Sequence, residues 1–122
     1  MLDEQVLTRD GKVTISGLSC RSQRRAPLLP KPGTKNILLL HFPAWVKKLG
    51  EGRFDCMLSG HSHGGQVRLP FLGPPVVAFG VDEYDSGLFE TRNGPLYVNP
   101  GIGWFATRVR FRCRPEITVI EM

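Results

Sequence analysis

The sequence lacks any long hydrophobic run. No apolar segment approaches the roughly 20 residues that a bilayer-spanning helix requires, and the N-terminal segment MLDEQVLTRDGK is charged, without the apolar stretch of a signal peptide. We therefore expect a cytoplasmic location or one at the periphery of a membrane. Acidic residues are also scarce, because 11 Asp and Glu against 16 Lys and Arg give a formal charge of +5. This balance favours anionic partners without specifying them.

Cysteines are few and unpaired in the sequence. Cys20, Cys56 and Cys113 are odd in number, widely spaced and in no CxxC motif. This pattern argues against both a disulfide framework and a thiolate zinc site. We expect three reduced thiols, with Cys56 and Cys113 acting as small buried hydrophobes and Cys20 more exposed.

A chain of 122 residues is the size of one domain, so we treat residues 1–122 as a single domain. One short helix is predicted, at PAWVKKLGEG, which opens with a proline and ends at glycines. Gly and Pro turns separate many short strand-like segments. The predicted strands are 13–18, 36–41, 54–59, 66–69, 87–91, 96–99, 108–113 and 116–121. The fold class is therefore α/β with a large share of strand.

Two of these strands, NILLLH and FDCMLS, are near-continuous apolar runs, as expected for strands covered on both faces. The first ends at His41, and the second is followed by GHSHGG with His61 and His63. Loops at strand ends are common places for chemistry. All three histidines of the chain therefore fall where a site is expected.

Neutral imidazole is a common ligand of zinc, iron and manganese. The glycines around the pair, including Gly60, Gly64 and Gly65, tolerate a positive φ and would let the backbone turn both rings into one cavity. A His-x-His pair alone is weak evidence, because in a flat strand it is merely two residues on one face.

Basic residues concentrate in two segments. CRSQRRAPLLPKPGTK is a proline-rich loop, and TRVRFRCRPE alternates arginines with apolar residues, which would place the arginines on one face of a strand. Each segment is either a solvated surface or a surface for phosphorylated ligands, anionic lipid or nucleic acid.

The string GHSHGG after an apolar strand, with a strand-terminal histidine upstream, resembles the C-terminal half of the calcineurin-like metallophosphoesterases. The stretches NILLLHFPAW, FDCMLSGHSHGGQVRLP, GLFETRNGPLYVNPGIGWFATRVRF and RPEITVIEM look like the branch with membrane-associated phosphodiesterases and lipid-precursor pyrophosphatases. The resemblance covers residues 36–122. Residues 1–35 add a strand that fits the family more loosely and the basic, proline-rich loop.

The resemblance implies the C-terminal part of a sandwich of two mixed β-sheets flanked by helices, with the N-terminal half absent. It also implies a centre with two divalent ions, Mn, Fe or Zn, that hydrolyses a phosphomonoester, phosphodiester or pyrophosphate. By this resemblance His41 and His61 are ligands of the second metal and His63 is a ligand of the first. The residues expected to line the site are Gly60, Gly64, Gln66 and Asn99.

The family segments Asp-x-His, Gly-Asp-x-x-Asp and Gly-Asn-His do not occur in this sequence. Three neutral imidazoles offer no carboxylate to offset two divalent cations, so we expect one ion at most with this chain alone. The expected substrate is a phosphorylated small molecule or lipid precursor, with contact at a membrane periphery. A missing half-domain or a second copy is expected to cover the apolar strand faces.

Two other functions stay open. The chain could be a non-catalytic module that binds a metal or a phosphorylated partner through its histidines and arginines. It could also be a basic nucleic-acid-binding domain, which is the weakest reading because aromatic residues do not interleave with the basic segments as stacking platforms would. No specific nucleic-acid partner is expected.

Overall fold

A computed structural model describes residues 6–20 and 28–122. It contains one six-stranded sheet in the order β1-β2-β3-β4-β6-β5. The strands β2, β3, β4 and β6 run parallel, whereas β1 and β5 pair antiparallel with β2 and β6 at the two edges. The strands are β1 (Val6–Arg9), β2 (Val13–Leu18), β3 (Lys35–Leu40), β4 (Cys56–Ser59), β5 (Gly87–Thr91) and β6 (Gly94–Val98). This mixed sheet with little helix confirms the predicted fold class of a β-rich α/β fragment.

The connection from β3 to β4 contains the predicted helix, which forms as a 3-10 helix over Pro43–Lys48. Pro43 starts it in a position where proline needs no backbone donor, and Lys47 and Lys48 lie in its last turn. Leu49 returns to extended backbone, with φ −65° and ψ 143°, so the helix is shorter than the segment that predicted it. Within the described ranges, no helix has the length and apolarity needed to cross a membrane.

The hydrophobic core lies on one face of the sheet, under the 3-10 helix and the loop that follows it. Its buried members are Leu18, Leu38, Leu40, Val46, Leu49, Phe54, Met57, Leu96 and Val98. On the opposite face Ile37 and Leu39 of β3 and Leu58 of β4 are only partly buried. The apolar runs of β3 and β4 therefore pack fully on one face and incompletely on the other.

Three predicted strands are wrong. Segments 66–69, 108–113 and 116–121 form no strands, and the first two contribute only to isolated bridges, Val67 with Phe111 and Leu69 with Gly73. Positive φ angles at Gln66 (56°) and Arg112 (53°) interrupt the extended backbone there. The alternating arginine segment consequently has no buried face apart from Cys113, since Phe111 is 52% exposed.

The thiol predictions are confirmed. Cys56 and Cys113 are buried, Cys20 is exposed, and all three are free. Burial raises the pKa of the Cys56 thiol, which keeps it protonated and unreactive. Arg21, Arg24 and Arg25 of the predicted proline-rich loop lie outside the described residues.

The tight turn between β5 and β6 anchors the loop that leads into β4. The buried Asn93 side chain donates from Nδ2 to the carbonyl oxygens of Gly50 (2.9 Å) and Gly52 (2.7 Å). Phe54 N donates to Asn93 O at 2.8 Å. Gly94 follows with φ +114°, and its Cα lies so close to Phe54 that a Cβ would overlap the Phe54 carbonyl group.

This packing predicts different costs for two glycine substitutions with similar backbone strain. Gly94→Ala and Gly87→Ala both place a side chain at positive φ (+114° and +97°), but a Cβ on Gly87 would meet nothing within 4 Å. We expect Gly87→Ala to lower the free energy of unfolding by about 1–2 kcal/mol. Gly94→Ala should cost at least about 2 kcal/mol more because it also displaces the Phe54 backbone. Urea denaturation of both variants measures the difference, and equal losses would contradict the close approach.

Candidate metal centre

His41 and His61 meet at the carboxyl ends of β3 and β4. In the parallel register Leu40 lies opposite Ser59, so the residues that follow both strands leave the sheet at the same level. His41 N donates to Leu18 O at 3.0 Å, and Ser59 Oγ donates to His41 O at 3.2 Å. The centroids of the His41 and His61 rings are 4.7 Å apart, with the ring planes tilted by 45°.

The turn that carries the histidine pair is held by Ser62 and contains strained backbone. Gly64 N donates to Ser62 Oγ at 3.1 Å, and Gly65 N donates to Ser62 O at 2.9 Å. His61 and His63 both have positive φ, 66° and 48°. This conformation is energetically unfavourable for any residue other than glycine and is often found at functional sites. The chain therefore turns here, as the glycines predicted, with positive φ at Gly64 and Gly65 as well as at both histidines.

His63 lies on the other side of this turn, near the C-terminal loops. Its ring stacks on that of Phe105 with centroids 6.4 Å apart, and the Cys113 thiol donates to its carbonyl oxygen at 3.3 Å. Burial, the Arg110 guanidinium and the neighbouring His61 together lower the pKa of His63. His63 is two residues from His61 in the sequence, but in the fold its ring lies beside Phe105 and Arg110.

Burial and the neighbouring His61 ring also lower the pKa of His41. Below its pKa an imidazole is protonated and cannot bind a metal, so a lowered pKa extends the range of the neutral form toward acidic pH. The surroundings of His41 and His63 therefore favour the form that acts as a metal ligand.

Aromatic rings that no sequence motif indicates lie against His41 and His61. Phe42 packs edge-on against both His41 and His61, with centroids 4.7 Å away in each case, and Phe79 packs against Phe42 at 5.7 Å. The Phe79 carbonyl oxygen lies 3.0 Å from His61 Nε2. Because a carbonyl oxygen only accepts hydrogen bonds, Nε2 carries the proton in this bond. The unprotonated Nδ1 is then the nitrogen that can bind a metal. Phe42 could have been noted because it follows His41 directly, whereas nothing in the sequence links Phe79 to His61.

The residues expected to line the site are divided between the turn and the loops behind it. Gly64 is buried, close to Cys113 and Pro100. Asn99 N donates to Ser59 O at 2.9 Å, next to Gly60, while its side-chain amide donates to Thr118 Oγ1 at 2.8 Å.

Gln66 bridges the turn to the segment after β6. Its backbone oxygen accepts a bond from Phe111 N at 2.8 Å, and its side-chain Oε1 accepts one from Phe105 N. The Gln66 side chain therefore joins two loops beside the histidines.

The donor set fits a metal ion approached from one side. His41 and His61 present imidazole nitrogens from adjacent strand ends, and neutral imidazole is suitable for manganese, iron and zinc. The part of the chain that the structure describes contains no group of three or more His, Cys, Asp or Glu side chains placed to hold a metal. The described residues thus offer a pair of neighbouring imidazoles, His41 and His61, and no complete coordination shell.

Curated proteins similar to this chain are named as metallophosphoesterases, as a phosphodiesterase or as a pyrophosphatase. The chain is 39% identical over 87 residues, 71% of its length, to the uncharacterized metallophosphoesterase YkuE of Bacillus subtilis. It is 31% identical over 100 residues, 82% of its length, to phosphodiesterase YaeI of Escherichia coli. It is 34% identical over 101 residues, 74% of its length, to the UDP-2,3-diacylglucosamine pyrophosphatase LpxG of Chlamydia trachomatis. The resemblance to metallophosphoesterases is confirmed as a partial match.

The matched regions are 30%, 37% and 30% of the lengths of these three relatives. The chain thus spans less than half the length of the curated proteins that it matches. No family model matches the chain, and no solved structure matches it significantly.

The strained turn predicts a difference between two substitutions at His63. His63→Ala keeps a side chain at φ +48°, whereas His63→Gly removes the Cβ that makes this φ unfavourable. We expect the glycine variant to be more stable than the alanine variant by about 1 kcal/mol, since the released strain exceeds the added entropy of the unfolded chain. Thermal unfolding of the two variants measures this. An alanine variant that is the more stable of the two would show that the turn is not strained at His63.

Proposed function

We propose, starting from the confirmed resemblance to metallophosphoesterases, that this chain supplies the C-terminal, histidine-bearing side of a divalent-metal phosphoesterase centre. The observation that carries the proposal is that His41 and His61 lie together at the ends of two adjacent parallel strands. Their ring centroids are 4.7 Å apart. His41 and His61 would hold one ion through neutral imidazole nitrogens, and His63 would approach a second ion from the other side of the turn. When bound, the metal would polarise a phosphoryl oxygen and make hydroxide available near neutral pH.

We further propose that the centre is incomplete in the isolated chain. Imidazoles carry no charge to offset two divalent ions, and metal-dependent phosphoesterase chemistry holds both ions through negatively charged as well as neutral ligands. The half-open face of β3 and β4 supports the same conclusion, because Ile37, Leu39 and Leu58 lack full burial. A further polypeptide segment or a second copy would cover this face and supply carboxylates. Manganese, iron and zinc all suit the donor set.

The proposed substrate class is a phosphate ester or pyrophosphate on a small molecule or lipid precursor. One similar protein is named a phosphodiesterase and another a UDP-2,3-diacylglucosamine pyrophosphatase, so both bond types occur among the relatives. A cytoplasmic or membrane-peripheral location remains a prediction.

Metal binding can be tested without turnover. We expect the chain to bind Mn²⁺ weakly, and expect His41→Ala and His61→Ala each to reduce the affinity by about tenfold or more, because each removes a ligand. Isothermal titration calorimetry and the electron paramagnetic resonance signal of free Mn²⁺ measure this. Leu88→Ser, an exposed position on β5, is the matched control and should bind as the parent does. Undiminished affinity in both histidine variants would refute the metal site.

Catalysis can be tested with a chimera, in which this chain replaces the matched region of the Escherichia coli phosphodiesterase. We expect Mn²⁺-dependent hydrolysis of bis-p-nitrophenyl phosphate by the chimera and none above background by the isolated chain. His61→Ala with His63→Ala should lower the chimera's rate by at least about 100-fold. Histidine-dependent turnover by the isolated chain would disprove its incompleteness. A folded, metal-binding chimera without turnover would disprove the catalytic role.

The second candidate is a non-catalytic module that binds a metal or a phosphorylated ligand. It is favoured by the exposed guanidinium groups of Arg108 and Arg112, in the segment that Phe111 N ties to Gln66 after the histidine turn. This candidate predicts histidine-dependent metal binding in the isolated chain together with an inactive chimera.

A further inference from the structure

Two loops beside the histidines expose most of the large hydrophobic side chains of the described chain. The apolar loop, residues 69–79, exposes six of them, and the basic loop, residues 102–112, exposes five, while six others are scattered elsewhere. Phe71 (107% exposed), Leu72 (81%) and Phe79 (84%) project from the apolar loop. Soluble monomers seldom expose contiguous apolar surface of this kind, and such surface marks a site of interaction with a protein or a membrane.

The charges within the two loops are all positive. Residues 69–81 contain no charged residue, and residues 91–115 contain no Asp or Glu. The basic loop carries Arg108, Arg110 and Arg112, with Arg114 just beyond it. Arg110 is used internally, since it donates to the carbonyl oxygens of Gly103 and Pro100, whereas Arg108 and Arg112 are exposed. The two loops thus combine apolar side chains with positive charge. The acidic residues beside them have partners of their own: Asp85 pairs with Arg68, Asp82 and Glu83 pair with Lys47, and Glu116 is hydrogen-bonded to Tyr97 and Thr118.

The two loops are joined at their bases. The hydrogen bonds from Phe105 N and Phe111 N to Gln66 tie the basic loop to the turn that precedes the apolar loop. Arg68 N donates to Phe111 O at 3.0 Å, which continues the connection. The exposed side chains of both loops therefore belong to neighbouring parts of one surface.

Each loop also contacts one histidine of the pair. The carbonyl oxygen of Phe79 in the apolar loop lies 3.0 Å from His61 Nε2. The ring of Phe105 in the basic loop stacks on His63. A partner that covers the two loops would consequently lie against the mouth of the histidine site.

We propose that the apolar and basic loops form a surface that docks on an anionic phospholipid bilayer, with Phe71, Leu72 and Trp104 entering the interface and Arg108 and Arg112 at the headgroups. The proposal deepens the proposed function by naming the partner at the same site, and it rests on that function only for the orientation of the histidines toward the lipid. The docking itself requires no metal.

Charge and side-chain type favour a bilayer over other occupants. Insertion of apolar side chains and attraction of exposed arginines to anionic headgroups add to each other in interfacial binding. The Trp104 ring has the Arg108 guanidinium 5.0 Å from its centroid, and tryptophan is enriched at membrane interfaces. A nucleic acid would use the arginines but leave Phe71 and Leu72 in water, because neither lies among the basic residues.

The two tryptophans of the chain provide a direct measurement. Trp45 packs against the core, so Trp45→Phe leaves Trp104, which is 50% exposed, as the sole indole. We expect the Trp104 emission to shift to shorter wavelength on addition of vesicles in which half the lipid is phosphatidylglycerol, with a smaller shift for pure phosphatidylcholine. The measurement is made in EDTA, so that failure of the metal site does not affect it.

Vesicle co-sedimentation with loop variants identifies the surface. Phe71→Ser with Leu72→Ser should reduce the partition coefficient by at least about tenfold. Arg108→Gln should reduce it by about fivefold at low salt and less at high salt. The matched control is Ile117→Ser with Val119→Ser, which removes two equally exposed apolar side chains (84% and 85%) outside the loops and should leave the partition unchanged. Circular dichroism verifies that each variant is folded.

Four outcomes would overturn the proposal. The first is no binding to anionic vesicles, and the second is an equal loss of vesicle binding in the control variant. The third is vesicle binding that duplex DNA abolishes and that the Phe71→Ser, Leu72→Ser variant retains. The fourth is a chain that self-associates, does not bind vesicles and becomes monomeric in the Phe71→Ser, Leu72→Ser variant. The third would assign the surface to nucleic acid and the fourth to a second copy of the chain. Vesicle binding with the expected loop dependence would support the proposal even if the chimera proved inactive.

Discussion

The parallel pairing of β3 with β4 is the constraint on which the candidate site depends. Leu38 lies opposite Met57 in this register, and both are fully buried. A slip of one residue would turn these side chains to the opposite face of the sheet, so the core fixes the register. His41 follows β3, and His61 follows β4 after one glycine, so the same register fixes the distance between their rings. The placement of these two rings is thus a consequence of apolar packing several residues away.

The turn after β4 adds what the sheet alone cannot supply. A regular strand through GHSHGG would place His61 and His63 on one face, both at the same edge. Positive φ at both histidines instead separates them, with His61 beside His41 and His63 beside Phe105. The unfavourable backbone persists because the capping bonds of Ser62 and the close packing of Gly64 hold it. One short turn therefore directs its two imidazoles to different neighbours.

Much of the sheet could be predicted from the sequence, because apolar runs between Gly and Pro turns specify strands. The bounds of β2 and β5 agree with prediction, and the helix is present in shortened form. The strand β1 was missed, although the Asp10–Gly11 pair before β2 is a hairpin signal. The arginine alternation was misleading, because period-two alternation forms a strand only where a neighbouring strand accepts its hydrogen bonds. For the site, the histidines and their elements were predictable, but the contacts of His61 with Phe79 and His63 with Phe105 depend on long-range loop packing.

The pair of His41 and His61 and the half-open sheet face both belong to β3 and β4. A sheet buried on one face retains apolar area on the other, which association can remove from water. Neutral imidazoles at the sheet edge can bind a divalent ion but leave its charge uncompensated, and carboxylates compensate such charge most effectively. A layer over Ile37, Leu39 and Leu58 would remove this apolar area from water, and carboxylates at the ends of β3 and β4 would compensate the charge of an ion held by His41 and His61. The histidines, the open face and the exposed loops therefore favour a chain that works against other surfaces rather than alone.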